Sequence, residues 1–151
     1  MITGAVRIRV LLLSCVGALL VLPATLATAP IGLARAGEPS GVAVLFAGFH
    51  QFADGRARIW VKLEGAVRVS EQRNKQTVTY VLHNSYVKLQ NNKNPLIAKH
   101  FRSLVEKARL IERDGDTLLV VTMKRPAEPE HRAVKRPDGM FSVQVDFPPL
   151  R

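Results

Sequence analysis

The residues that could act chemically are few and scattered. The sequence has four histidines, His50, His83, His100 and His131. None stands four positions from another, so the paired-histidine spacing of a helical zinc site is missing. Beyond residue 36 the serines are Ser40, Ser70, Ser85, Ser103 and Ser142, and none sits in a Gly-x-Ser-x-Gly elbow. No glycine-rich loop has phosphate-cradling spacing. Asp114 and Asp116 flank Gly115 as a turn requires, and two carboxylates fall short of the six to eight or so oxygens that calcium takes. Glu128 and Glu130 stand among prolines, where carboxylates are ordinarily solvated. No catalytic group, metal site or cofactor is therefore expected. What remains is chemistry suited to binding. Arg56, Arg58, Trp60 and Lys62 recur at every second position, which on a strand makes a cationic strip around one aromatic plate. The same strip is equally read as solvated charge with a partly covered indole. Asn91, Asn92 and Asn94 could offer amide hydrogen bonds to a ligand, or simply make a turn.

The elements that must position these residues read mostly at period two. In residues 56–64, Ala57, Ile59, Val61 and Leu63 fall on one face and Arg56, Arg58, Trp60, Lys62 and Glu64 on the other. That is a half-buried antiparallel strand. An apolar run at 42–52 precedes it, with Ala53-Asp54-Gly55 as hairpin turn. It is a candidate edge strand, with Phe46, Phe49 and Phe52 open to either face. Further strands are expected at 66–71 (Val67 and Val69 inward), 77–82 and 85–90. Turns are expected at Arg73-Asn74-Lys75 and His83-Asn84.

A polar loop, 91–95, comes next. Ile97, Phe101, Leu104, Ala108 and Ile111 then recur at helical spacing behind Asn94 and Pro95, which suit a helix start. Against a helix, Asp114-Gly115 separates two apolar runs as a hairpin would. The reading adopted is a loop with one helical turn up to Ser103, then a strand at 104–113 and another at 117–124. Strands at 132–136 and 140–147 complete the chain, the last with Phe141, Val143, Val145 and Phe147 inward. Eight or nine short strands with frequent turns imply an all-β fold, a small β-sandwich of two antiparallel sheets.

The first third differs in kind. Arg7 and Arg9 precede an apolar run at 10–22 that is broken by Ser14 and Cys15, and small residues lead to Ala34-Arg35-Ala36. This is the pattern of a secretory signal peptide, 1–36, cleaved after Ala36. Cleavage after Ala29 would leave Pro30 first, and retention as an anchor is the other alternative, though Pro23 interrupts the apolar core. Cys15, the single cysteine, sits too early in that core for a lipoprotein cleavage box and reads as filler. After a short linker, 37–41, the domain occupies 42–149. Without the leader the chain keeps 19 Lys and Arg (22 less Arg7, Arg9 and Arg35) against 12 Asp and Glu, a charge of +7. In a periplasmic protein that surface favours an anionic envelope polymer, with solubility alone as the plainer reading. Nucleic acid is not an expected partner, and no membrane span is expected after cleavage.

Several segments carry a family likeness. Residues 58–69, Arg-Ile-Trp-Val-Lys-Leu-Glu-Gly-Ala-Val-Arg-Val, resemble the opening strands of an AMIN domain. Residues 105–110, 118–123 and 141–148 resemble its later strands. The segment Asn94-Pro95-Leu96, with Phe101 beyond it, is similar to that of stand-alone AMIN-like periplasmic proteins. The resemblance spans roughly 42–149. It departs at 77–82, where the family's Pro-x-Arg-x-x-x-Asp segment is replaced by Thr-Val-Thr-Tyr-Val-Leu. The resemblance implies a sandwich of two small sheets that binds peptidoglycan and positions its protein. Within these 151 residues no amidase or secretin domain is expected beside it, and the chain is expected to be the binding module alone.

The expectation is thus a non-catalytic module that binds peptidoglycan through Arg56, Arg58, Trp60, Lys62, Asn91 and Asn92. Cations would meet peptide carboxylates and the indole would meet sugar faces. The alternative is an assembly module docking a pilus, secretion or division complex through a sheet edge or apolar patch.

Overall fold

The computed structural model describes residues 40–150. The leader, its cleavage point, Cys15 and the first residues of the linker lie outside the described residues. Ten strands form two five-stranded sheets, and no helix among the described residues is long and apolar enough to cross a membrane. The strands are β1 (Val42–Gln51), β2 (Ala57–Leu63), β3 (Val69–Asn74), β4 (Thr77–Leu82), β5 (Ser85–Val87), β6 (Leu96–Ile97), β7 (Val105–Arg113), β8 (Asp116–Met123), β9 (Glu130–Lys135) and β10 (Phe141–Phe147). Sheet A runs β5-β1-β2-β10-β9 and sheet B runs β3-β4-β8-β7-β6.

The alternation seen in sequence becomes burial. Ala57, Ile59, Val61 and Leu63 are wholly enclosed, as are Val143, Val145 and Phe147 on β10. They meet Val78, Tyr80, Leu82, Leu119 and Val121 from sheet B in one core. Each such aliphatic side chain contributes about 1.5–3 kcal/mol by leaving water. Tyr80 is the largest of the enclosed side chains, and its hydroxyl has no hydrogen-bond partner. Burial pushes that phenol well above the usual tyrosine range.

Turn chemistry fixes the hairpins. Asp114 and Gly115 both adopt left-handed backbone, with φ of 52° and 80°, and join β7 to β8 with Arg113 opposite Asp116. Two positive φ values suit the twist of a two-residue hairpin. The turn after β4 uses Asn84 at φ 50°.

Several expectations are corrected. The stretch 42–52 is not an edge strand: β1 is internal, between β5 and β2. It pairs with β5 in parallel, the one parallel pairing among the described strands, and β5 ends at Val87, short of residue 90. The strand expected at 66–71 starts later and runs through Arg73 and Asn74, with Lys75 and Gln76 as the turn. The loop at 91–95 opens with a 3₁₀ helix, Gln90–Lys93, and the helical turn expected before Ser103 is not formed; Leu96–Ile97 is a short strand instead. Pairing of β7 with β8 overrides the helical spacing of 97–111 and leaves Ile97 and Phe101 about half exposed.

The pairing of β1 with β2 is irregular at one point. It slips between Val44 and Phe46, a bulge at Leu45. A bulge re-aims the side chains beyond it. Phe46 and Gly48 therefore join the outer face of sheet A, while Ala47 and Phe49 pack inward.

Candidate functional site

The outer face of sheet A centres on β2, with β1 on one side and β10 on the other. Arg58 stands between His50 and Asp146, Trp60 between Gly48 and Gln144, and Lys62 between Phe46 and Ser142. The cations predicted to form an open strip are each already engaged. Arg58 Nε and Nη2 donate to the two oxygens of Asp146 at 2.5 and 3.0 Å, and Arg132 Nη2 approaches the same carboxylate at 3.4 Å. A forked pair of this kind is the strongest type of ionic hydrogen bond. It raises the Arg58 pKa beyond its ordinary value, against the opposing effect of partial burial. Arg56 Nε donates to Asp54 at 2.6 Å, and Lys62 Nζ to Asp138 at 3.1 Å. The hydrogen bonds that Arg56 donates to Asp54, and Lys62 to Asp138, hold both carboxyls below the usual carboxylate range. Arg56 and Arg58 also lie about 5.5 Å from the centre of the Phe52 ring.

Around Arg58 is a depression of about 530 Å³, in which Arg56, Arg58 and Arg132 face Glu128, Glu130 and Asp146. Three guanidiniums against three carboxylates leave no net charge to draw in a polyanion. The cations of the sequence reading thus stand as ion pairs with Asp54, Asp146 and Asp138.

The neighbouring part of the face is different. Trp60 lies across the backbone of β1 at Gly48: a Cβ at that position would meet the indole Cζ2 at 2.4 Å. Only glycine lets the ring lie this close to the strand. Cross-strand glycine–aromatic pairing of this sort holds an aromatic side chain flat on a sheet. Phe46 stands next to it, ring centroids 6.4 Å apart and tilted by 43°, and is half exposed.

The 3₁₀ segment closes the other wall. Asn91, Asn92, Asn94 and Leu96 join Phe46, Gly48 and Trp60 in lining a groove of about 430 Å³. Three interactions hold that wall. Asn92 Nδ2 donates to the Leu45 carbonyl at the bulge, 2.6 Å. Lys93 pairs with Glu112. Glu112 in turn accepts the Val87 N–H at 2.7 Å. The Lys93 hydrogen bond, helped by the Val87 N–H, lowers the Glu112 pKa despite some burial. Asn91 and Asn94 are exposed at the rim.

Of the six residues singled out in sequence, the structure thus gathers Trp60, Asn91 and Asn92 around one groove. It places Arg56 and Arg58 in the separate charged depression, and Lys62 beside Phe46 but tied to Asp138. Within this arrangement one of the two Asn92 amide N–H groups is taken by the Leu45 carbonyl. The sequence reading missed Phe46 and Gly48 as site residues. A glycine within a strand is a signal of close approach, but its partner across the sheet could not be read from one segment.

The groove can do two things chemically. Its indole and phenyl faces can stack on flat apolar surfaces, and its rim amides can donate and accept hydrogen bonds. Comparison with protein-family models gave no match, and a search of curated proteins found no significant similarity.

Proposed function

We propose that this domain is a glycan-binding module of the cell envelope, with peptidoglycan as its ligand and the Trp60 groove as its site. The observation that carries the reading is the indole laid flat on Gly48 beside Phe46, with exposed asparagine amides at the rim. Sugar rings have apolar C–H faces and a polar equator, and this groove matches both parts with an aromatic floor and an amide edge. The groove residues are neutral, so contact is made by stacking and hydrogen bonding, and the peptide carboxylates of the wall are not its primary target. Export by the leader at 1–36 would place the domain in the periplasm, where that polymer is found, and the AMIN resemblance is consistent with the same role. The groove holds no nucleophile or general base, and its part is to bind.

The test is co-sedimentation of the purified protein with isolated peptidoglycan sacculi, beside Trp60→Ala. Pelleting of the wild type that the variant loses supports the proposal. Equal pelleting of both would move the site elsewhere, and no pelleting would end the wall-binding reading.

A second reading has an observation behind it. Phe46 and Leu89 are 49% and 56% exposed, and two such apolar side chains suit an assembly partner. Sacculi separate the two readings, because a protein partner is absent from them.

A further inference from the structure

The outer face of sheet B carries a cluster that has no part in the groove. Ser70 on β3, His83 in the turn after β4 and Asp116 at the start of β8 lie in line. Ser70 Oγ is 2.8 Å from His83 Nε2. His83 Nδ1 is 3.1 Å from Asp116 Oδ2. The other Asp116 oxygen accepts the Asn84 N–H at 2.8 Å, which fixes the carboxylate.

The order of contacts decides the roles. With Nδ1–H donated to the carboxylate, the Nε2 lone pair faces the Ser70 hydroxyl. That is the arrangement in which imidazole takes a proton from serine and an acid stabilises the resulting imidazolium. The turn itself is held without Ser70: Ser85 N–H donates to Gly115 O at 3.1 Å, Ser85 Oγ to Leu82 O at 2.7 Å and Thr117 Oγ1 to Ser85 O at 2.9 Å. Ser70 is exposed, and the His83 and Asp116 side chains are about 30% exposed, so a substrate can reach them.

A donor for a developing oxyanion is at hand. β3 is an edge of sheet B, and His83 N–H donates to the Arg68 carbonyl at 3.0 Å. Alternation in an antiparallel ladder then turns the Glu71 N–H, next after Ser70, away from β4 and toward the outer edge of β3. A backbone amide beside the nucleophile can stabilise charge on a carbonyl oxygen.

We infer that Ser70 is a nucleophile activated by His83, with Asp116 as its positioning residue, and that the site transfers small acyl groups from esters. The hydroxyl oxygen attacks the ester carbonyl carbon and its proton passes to His83 Nε2. Collapse breaks the ester C–O bond, and the departing alcohol takes that proton. Water then attacks acyl-Ser70 and gives a proton to His83. The Oγ–C bond breaks, the carboxylic acid leaves, and Ser70 recovers its proton. Val81, itself buried, stands opposite Ser70, and Leu118 lies one strand beyond it; this leaves shallow apolar ground that suits an acetyl-sized group on a protruding ester better than a long chain.

The test uses a fluorophosphonate probe and p-nitrophenyl acetate on the full protein. The probe is expected to add once, at Ser70 by peptide mapping, and not to Ser70→Ala. Ser40→Ala is expected to label like the wild type. His83→Ala is expected to slow both labelling and nitrophenolate release about 100-fold or more. Asp116→Asn, with its fold checked by amide NMR, is expected to slow them while leaving the probe on Ser70. No adduct, an adduct that survives Ser70→Ala, or wild-type rates in His83→Ala would each overturn the inference. None of these outcomes bears on binding in the Trp60 groove.

Discussion

Two stretches of the same sheet face, a few residues apart on β2, are put to different uses. At Arg58 every cation has a carboxylate opposite it, and the 530 Å³ depression there is electrically balanced. At Trp60 the largest side chain of the strand is held on glycine and left partly exposed beside a second, half-exposed ring. The charged end has spent its interactions on joining β2 to β10 and β9. The aromatic end has not, and under the proposed function its ring faces are what the ligand meets. A run of arginines on a strand is thus poor guidance to a binding surface until the strand beside it is known.

The largest expected effect is on the aromatic end. Trp60→Ala should weaken binding to the wall by about 2 kcal/mol or more, roughly 30-fold, the loss typical of a central aromatic contact. Isothermal titration with soluble glycan fragments would measure it. Gly48→Ala keeps the indole but puts a methyl where the ring lies, since the position has ordinary strand backbone. Binding should fall about tenfold, with the near-ultraviolet circular dichroism of the indole altered. If Gly48→Ala bound as well as the wild type, a flat indole would not be what the ligand reads.

The charged end should respond in stability alone. Arg58→Ala removes the forked bond to Asp146, and Arg132 remains on that carboxylate. A loss of about 1 kcal/mol is expected in urea unfolding, with glycan affinity unchanged. Weakened binding without weakened stability would restore the cationic strip as a site.

The smallest effect joins the groove to pH. Glu112 anchors Lys93 and the Val87 N–H, and its folded pKa lies below its ordinary value. Its contribution is therefore complete above the unfolded carboxylate value and is lost as pH falls through the lower folded value. Because the pair is about one-third exposed, the effect should be only about 0.5 kcal/mol. Glu112→Gln should flatten that part of the acid dependence and loosen the Asn91–Asn92 wall, seen as faster amide exchange at 90–93.

How much of the fold and the groove was legible in the sequence depends on the range of each interaction. The period-two burial of β2 and β10 and the Asp114-Gly115 hairpin are local, and both were legible. The helical spacing of Ile97, Phe101, Leu104, Ala108 and Ile111 was local as well and pointed the wrong way, because pairing with β8 outweighs it. The bulge at Leu45 was illegible, since it exists only relative to β2, and with it the outward turn of Phe46. Arg58 and Asp146 are 88 residues apart, so nothing near Arg58 in the sequence revealed that its charge was taken. Ser70, His83 and Asp116 likewise meet only because β3, β4 and β8 are neighbours in the sheet. Trp60, Asn91 and Asn92 do share one groove, whereas Arg56 and Arg58 line another depression and Lys62 is tied to Asp138, a division that depends on the neighbouring strands.

Trp60 is the single tryptophan of the chain, so its fluorescence reports the groove directly. The decisive measurement is a titration of that emission with soluble peptidoglycan glycan strands, at low and at high salt. A saturable change with an affinity little altered by salt is the predicted result. An unchanged spectrum, while the protein still binds the strands by sedimentation, would contradict the groove as the site.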